Sequence, residues 1–250
     1  MSLIHRWPFT EGSGSTVGDS IGGSTYDFTP LGGHAVQWAT GHVFGVKRGF
    51  MTIGRDAADN KYGILYNSNG LGSTYSTWSV AFVGRYLVSG MYLGAFMKFG
   101  DRNWRTWSSS TLDIINTSFI YATESDIDWG NWNIFIFSRN GTGTSLLVYH
   151  QDDLTTPAYT IGGFDLYGSD MRLNANTDSS FAGMMELADI SMWDHVLSQA
   201  EREAYVAQFY SAFPTGFNFE KYNNDDFGGL LRWNESGSSL TIESFESKNV

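Results

Sequence analysis

The chain contains no cysteine, which excludes a disulfide framework, a thiolate nucleophile and any zinc or iron–sulfur centre built on sulfur. Basic residues are in short supply: 15 Lys and Arg face 26 Asp and Glu, for a formal charge of −11 and a pI near 4.7. A surface of that sign repels phosphate backbones and anionic lipid, so neither nucleic acid nor membrane is expected as a partner. Long apolar runs are missing as well. The longest apolar-leaning stretch, residues 80–99, is interrupted by Arg85, Ser89, Gly90 and Lys98 and reads as two strands and a turn rather than a membrane span. The opening Met1-Ser2-Leu3-Ile4-His5-Arg6-Trp7 has no apolar stretch ahead of a small-residue cleavage site, so no signal peptide is expected. The five histidines show no H-E-x-x-H spacing, and there is neither a G-x-S-x-G elbow nor a phosphate-binding loop.

What the chain has in plenty is glycine and aromatics: 29 Gly, 18 Phe, 13 Tyr and 9 Trp in 250 residues. That composition suits many tight turns between aromatic-rich strands, an all-β body. Strands are expected at 63–67, 78–88, 92–99, 111–115, 132–138, 145–150, 171–173 and 187–193, divided by turn clusters such as Asn67-Ser68-Asn69-Gly70 and Asn140-Gly141-Thr142-Gly143. Trp132-Asn133-Ile134-Phe135-Ile136-Phe137 is apolar on both faces, as a strand covered from both sides must be. Ser198-Gln199-Ala200-Glu201 has the capping-box spacing and predicts a short helix that ends before Phe213-Pro214. Beyond that proline the chain turns Asn-, Asp-, Gly- and Ser-rich around isolated aromatics. One domain over 1–213 and an extended segment over 214–250, gripping a partner or a second copy of the chain, is the expected organisation.

Both ends of the 3–210 region resemble a known family. Trp7-Pro8-Phe9-Thr10-Glu11-Gly12-Ser13-Gly14, followed by Asp19-Ser20, resembles the opening strand of the laminin-G-like, concanavalin-A-like domains. Ile190-Ser191-Met192-Trp193-Asp194-His195-Val196-Leu197-Ser198 with Ala200-Glu201 resembles their closing strand and short helix. Residues 78–86 and 132–139 are similar to two of the family's central strands. The resemblance implies a two-sheet antiparallel jelly-roll β-sandwich with one sheet curved over a shallow groove and one short C-terminal helix. It also implies a structural calcium ion near the first turn, at Asp19 and at Asp27 in Thr25-Tyr26-Asp27-Phe28. The alternative reading is that Asp19 caps a turn through its own backbone. His195 is expected on the surface of the last turn.

Glycan recognition needs flat aromatic faces beside planar polar side chains. The run Asp101-Arg102-Asn103-Trp104-Arg105-Thr106-Trp107 gathers these in what reads as a turn region. Arg102, Asn103, Trp104, Arg105 and Trp107 are therefore the candidate carbohydrate contacts, with Trp129 of the nearby 126–132 segment beside them. Packing or subunit contact is the competing use of the same residue types. Glu124-Ser125-Asp126-Ile127-Asp128 resembles the acidic strand of laminarinase-type glycosidases, but its last acid is an Asp where a Glu is required. A non-catalytic domain is accordingly expected, one that binds a surface polysaccharide or other glycan. An acidic, cysteine-free body with a long extension fits the surface of a bacterial virus particle, alongside other virion proteins, or an extracellular setting. A purely structural capsid or fibre role is the alternative.

Overall fold

The computed structural model describes residues 2–31, 37–53, 55–56, 61–62, 64–86, 95–99, 102–108, 111–116, 118–123, 130–141, 145–163, 165–166, 170–173, 185–210, 231–233 and 240–242. At 31, 52–53, 55–56, 61–62, 64, 86, 95–96, 99, 102–108, 111–116, 118–123, 159, 161–162, 231–233 and 240–242 the backbone alone is described. In chain order the strands are β1 (Leu3–Trp7), β2 (Thr29–Leu31), β3 (Gln37–Val43), β4 (Val46–Ile53), β5 (Arg55–Asp56), β6 (Lys61–Tyr62), β7 (Ile64–Asn67), β8 (Trp78–Tyr86), β9 (Ala95–Phe99) and β10 (Arg102–Ser108). There follow β11 (Thr111–Asn116), β12 (Ser118–Thr123), β13 (Asn133–Arg139), β14 (Ser145–His150), β15 (Tyr159–Gly162), β16 (Met171–Leu173) and β17 (Met185–Trp193), then helix α1 (Gln199–Ala207), β18 (Leu231–Trp233) and β19 (Leu240–Ile242).

Two antiparallel sheets make the body. One has the order β15-β14-β13-β8-β17-β4-β3 with β1 also paired to β17; the other runs β12-β11-β10-β9-β16-β7-β2. Alternation along each strand decides which side chains meet between the layers. Trp78, Val80 and Phe82 of β8, Phe135 and Phe137 of β13, and Leu187, Ile190 and Met192 of β17 pack with Trp7, Phe9, Phe28, Leu65, Met97, Met171 and Leu173 in one core. Trp7 and Phe9 are wholly buried, the anchoring role their alternation predicts.

The opposite face of the eight-stranded sheet is apolar too. Ala81, Val83, Ile134, Ile136 and Tyr149 form a second core with Leu197, Tyr205, Val206 and Phe209 from α1 and its flanks. This is why β13 is apolar on both faces: the other sheet covers one side and α1 closes on the other. Ser198 accepts from the Glu201 amide while Glu201 Oε2 accepts from the Ser198 amide at 2.8 Å, a completed capping box. Asp189, 1% exposed, joins β1, β17 and α1. It accepts from Arg6 Nε at 2.8 Å, Ser191 Oγ at 2.6 Å and the Tyr205 hydroxyl at 2.8 Å.

Two expectations are corrected. Residues 102–108 are a strand inside the seven-stranded sheet rather than a turn, because β9 and β11 supply backbone partners on both sides. His195 is buried at 7% exposure rather than superficial: Asp194 and Glu201 hold its two ring nitrogens at 3.1 and 3.0 Å, and Ser79 Oγ donates to its carbonyl. In the 214–250 segment, β18 and β19 pair as a two-stranded ribbon.

Candidate functional site

The outward face of the seven-stranded sheet can be read from register. Leu65, Leu173 and Met97 stand opposite one another across β7, β16 and β9, and all three are fully buried in the inter-sheet core. One residue away the row Tyr66, Arg172, Lys98 therefore faces away from that core. The row continues through Asn103 on β10, Ile115 on β11 and Phe119 on β12.

Asp170, at the approach to β16, organises this row. Lys98 Nζ donates to both of its carboxylate oxygens, at 3.2 and 3.0 Å, and Arg172 Nε donates to Oδ2 at 3.1 Å. The Arg172 guanidinium lies over the Tyr66 ring, 5.4 Å from its centroid. The Lys98 side chain is 5% exposed, so its ammonium is held against the carboxylate with little water. A carboxylate shared by two cations, with one of them stacked on a phenol ring, fixes planar donors and acceptors beside an aromatic face. That is the chemistry a hydroxyl-rich, flat-sided ligand requires.

Of the candidate contacts named from sequence, five share β10. Asn103 pairs with Lys98 and so falls in the polar row, Arg105 pairs with Asp113, and Trp104 falls in the row of Met97 and Ile114. Arg102 pairs with Phe99, and Trp107 lies where the register to β11 shifts. Trp129 and the acids at 124, 126 and 128 lie outside the described residues. Trp132 is 8% exposed and packs edge-on against Phe50 at 5.2 Å on the helix-covered face of the other sheet. Sequence reasoning missed Tyr66, Lys98, Asp170 and Arg172. A signal existed in Met171-Arg172-Leu173, where one charge between two apolar residues in a strand marks the outward position.

The first turn gathers acids, but around amides. Asp19 Oδ1 accepts from Arg6 N at 3.0 Å, Ile21 N at 3.0 Å and Gly22 N at 2.8 Å, and Oδ2 sits 2.6 Å from His5 Nδ1. Asp27 Oδ1 accepts from Asp19 N at 2.8 Å, and Glu11 Oε1 from Gly18 N at 2.7 Å. Gly22 is required by this closeness, since a Cβ there would stand 2.5 Å from His5 Nδ1. Burial pushes the Asp19 carboxyl up, but His5 and the three amides outweigh it and hold it below the usual carboxylate value. A hard cation needs six to eight oxygens whose lone pairs point at it, whereas donors surround Asp19. In this geometry the Asp19 and Asp27 carboxylates lock the turn through its amides, and among the described residues no group of three or more metal-ligating side chains is present.

Comparison with known proteins bears on the fold. No family model matches the chain, and no curated protein matches it. Solved structures do. Domain 4 of AbnA, a GH43 extracellular arabinanase from Geobacillus stearothermophilus solved in complex with arabinotriose, aligns with a TM-score of 0.58 at 16% identity over 84% of this chain and 98% of that one. The botulinum neurotoxin type G receptor-binding domain aligns with a TM-score of 0.57 at 13% identity over 83% of this chain. A structure describing botulinum neurotoxin type C cell entry as dependent on two ganglioside molecules aligns with a TM-score of 0.56 at 14% identity over 84%. These likenesses show a β-sandwich fold. The chain spans about half the length of the two neurotoxin chains, and its β-sandwich neighbours are carbohydrate- or receptor-binding domains.

Proposed function

We propose that this chain is a non-catalytic carbohydrate-binding domain of the laminin-G-like kind, and that its ligand lies across the outward row of the seven-stranded sheet. The observation that carries the reading is the Tyr66–Arg172–Asp170–Lys98 arrangement, in register with Asn103 of β10. Sandwich neighbours whose ligands are arabinotriose and gangliosides support the ligand class. Display on a virion or another extracellular surface is the setting we assign to it, in keeping with its acidic, cysteine-free composition.

Titration of the full chain with arabino-oligosaccharides and with sialylated ganglioside headgroups tests the reading. Saturable binding that weakens at least about tenfold in Arg172→Ala and Tyr66→Ala, roughly 1.4 kcal/mol, supports it. Absence of binding across a broad glycan panel, or affinity unchanged in both variants, refutes it. A structural capsid or fibre role is the second reading, favoured by the β18–β19 pairing within 214–250. Removing 214–250 would then convert an oligomer into a monomer; an unchanged oligomeric state rejects that role for the segment.

A further inference from the structure

The eight-stranded sheet ends at β3, and among the described residues no strand pairs with its outer edge. Phe44 and Gly45, both with left-handed φ of 50° and 78°, close β3 onto β4 with Val43 opposite Val46, a two-residue hairpin turn of the primed type. In such a hairpin the closing pair is hydrogen-bonded, and bonded pairs recur at every second residue. Gly41, Ala39 and Gln37 therefore exchange bonds with Arg48, Phe50 and Thr52. The N–H and C=O groups of Trp38, Thr40 and His42 point the other way. Among the described residues no backbone or side-chain group meets them. Thr40 and His42 are exposed.

Open edges are ordinarily blunted by lysine, proline, an inward charge or a bulge. Gln37-Trp38-Ala39-Thr40-Gly41-His42-Val43 has no Lys, Arg, Asp, Glu or Pro, and its register to β4 runs without a shift. The edge is also held stiff. Trp38 Nε1 donates to the Gly14 carbonyl at 2.7 Å, Phe44 packs on Tyr210 at 4.8 Å, and Arg48 Nη2 donates to the Gln208 carbonyl at 2.8 Å with its guanidinium 4.6 Å from the Phe209 ring. A preformed edge loses little conformational freedom when it pairs.

We propose that β3 is a homodimerisation edge, occupied by the β3 of a second copy running antiparallel about a two-fold axis through Thr40. The sequence is self-complementary in that register. Thr40 meets its own copy, a favourable cross-strand pair, and Trp38 meets the partner's His42, with no like charges in opposition. The outward residues form three bonded pairs, about six hydrogen bonds in all, and the two eight-stranded sheets become one. In a chain of net charge −11, an uncharged strip is where two copies approach with least repulsion. This assembly is independent of the glycan reading, whose row lies on the other sheet.

Sedimentation velocity of the full chain from low to high micromolar concentration tests it, together with hydrogen exchange. The expected result is a concentration-dependent dimer, with the Trp38, Thr40 and His42 amides gaining protection in step with the dimer fraction. Thr40→Pro removes an outward N–H and no bond to β4; Thr40→Lys sets two like charges face to face across the axis. Each raises the dimer Kd at least about tenfold, and Thr40→Lys stands alone if the proline variant fails to fold. A monomer at every concentration overturns the proposal, as does a dimer untouched by Thr40→Lys. Protection of the three amides in a monomer also overturns it, by assigning the edge to another segment of the same chain.

Discussion

Replacing Asp19 with Ala removes the acceptor of three backbone amides and the partner of His5. These losses are unequal. The Ile21 and Gly22 amides sit at a turn whose Ile21 is 52% exposed, so water replaces the carboxylate there at about 0.5 kcal/mol each. His5 is 4% exposed, and loss of its bond to a carboxylate costs about 1.5–2 kcal/mol; the Arg6 amide adds about 1. The sum is roughly 3.5–4 kcal/mol, which for a chain of this size lowers Tm by about 7–16 °C. The pH dependence has a definite sign. Because the folded carboxyl is held below its usual value, its contribution is complete above the unfolded carboxylate range near 4 and is lost as pH falls through the folded pKa. Urea melts of wild type and Asp19→Asn should therefore converge as the pH drops below about 4. Equal stability of Asp19→Ala and wild type at neutral pH would refute the reasoning. So would a calcium-induced rise in Tm that EDTA reverses and Asp19→Asn abolishes, since that would make the turn a cation site.

Three further perturbations examine the helix-covered face. Ser198→Ala removes the cap of α1 and should cost about 1 kcal/mol in chemical denaturation. Glu201 is lowered from its usual 4.5 to about 2 by the Ser198 amide and hydroxyl and by His195, so the difference between wild type and Glu201→Gln should shrink as pH falls from 4.5 toward 2; a difference that grows would reject the assignment. Asp189→Asn keeps the shape but removes the charge beside Arg6 and turns a donor toward one of three donors, with an expected loss of about 3 kcal/mol of unfolding free energy, read as a lowered urea midpoint; an unchanged midpoint would show that the buried network contributes nothing.

The strands that the sequence displays best are those with a face against the core. β14 and β16 fall where they are expected, at Ser145–His150 and Met171–Leu173, and α1 begins after the capping Ser198. The β3–β4 hairpin is hidden because its turn is Phe44-Gly45, without the Asn-Gly or Asp-Gly that marks such turns in a sequence. β10 is hidden for a different reason. Asp101-Arg102-Asn103 reads as turn chemistry, and only pairing on both sides by β9 and β11 makes the segment a strand. The candidate site suffered from the same local view. Tyr66, Lys98 and Arg172 lie far apart in sequence and meet only through register across β7, β9 and β16, and Asp170 gains its meaning from the two cations that converge on it.

The pairing of β1 with β17 sets a timetable for synthesis. Trp7 lies beside Ile190 and Leu3 beside Trp193, and Ser2 N donates to Asp194 Oδ1 at 2.7 Å. Once made, β1 must therefore wait for about 185 more residues, on the order of 10–40 s at ordinary elongation rates, before its partner exists. During that interval Trp7 and Phe9 lack the β17 side of their core. A permuted chain that joins residue 250 to residue 2 and opens elsewhere keeps α1 and brings β1 about 60 residues after β17, a wait on the order of 3–12 s, and its yield on translation without chaperones should rise accordingly.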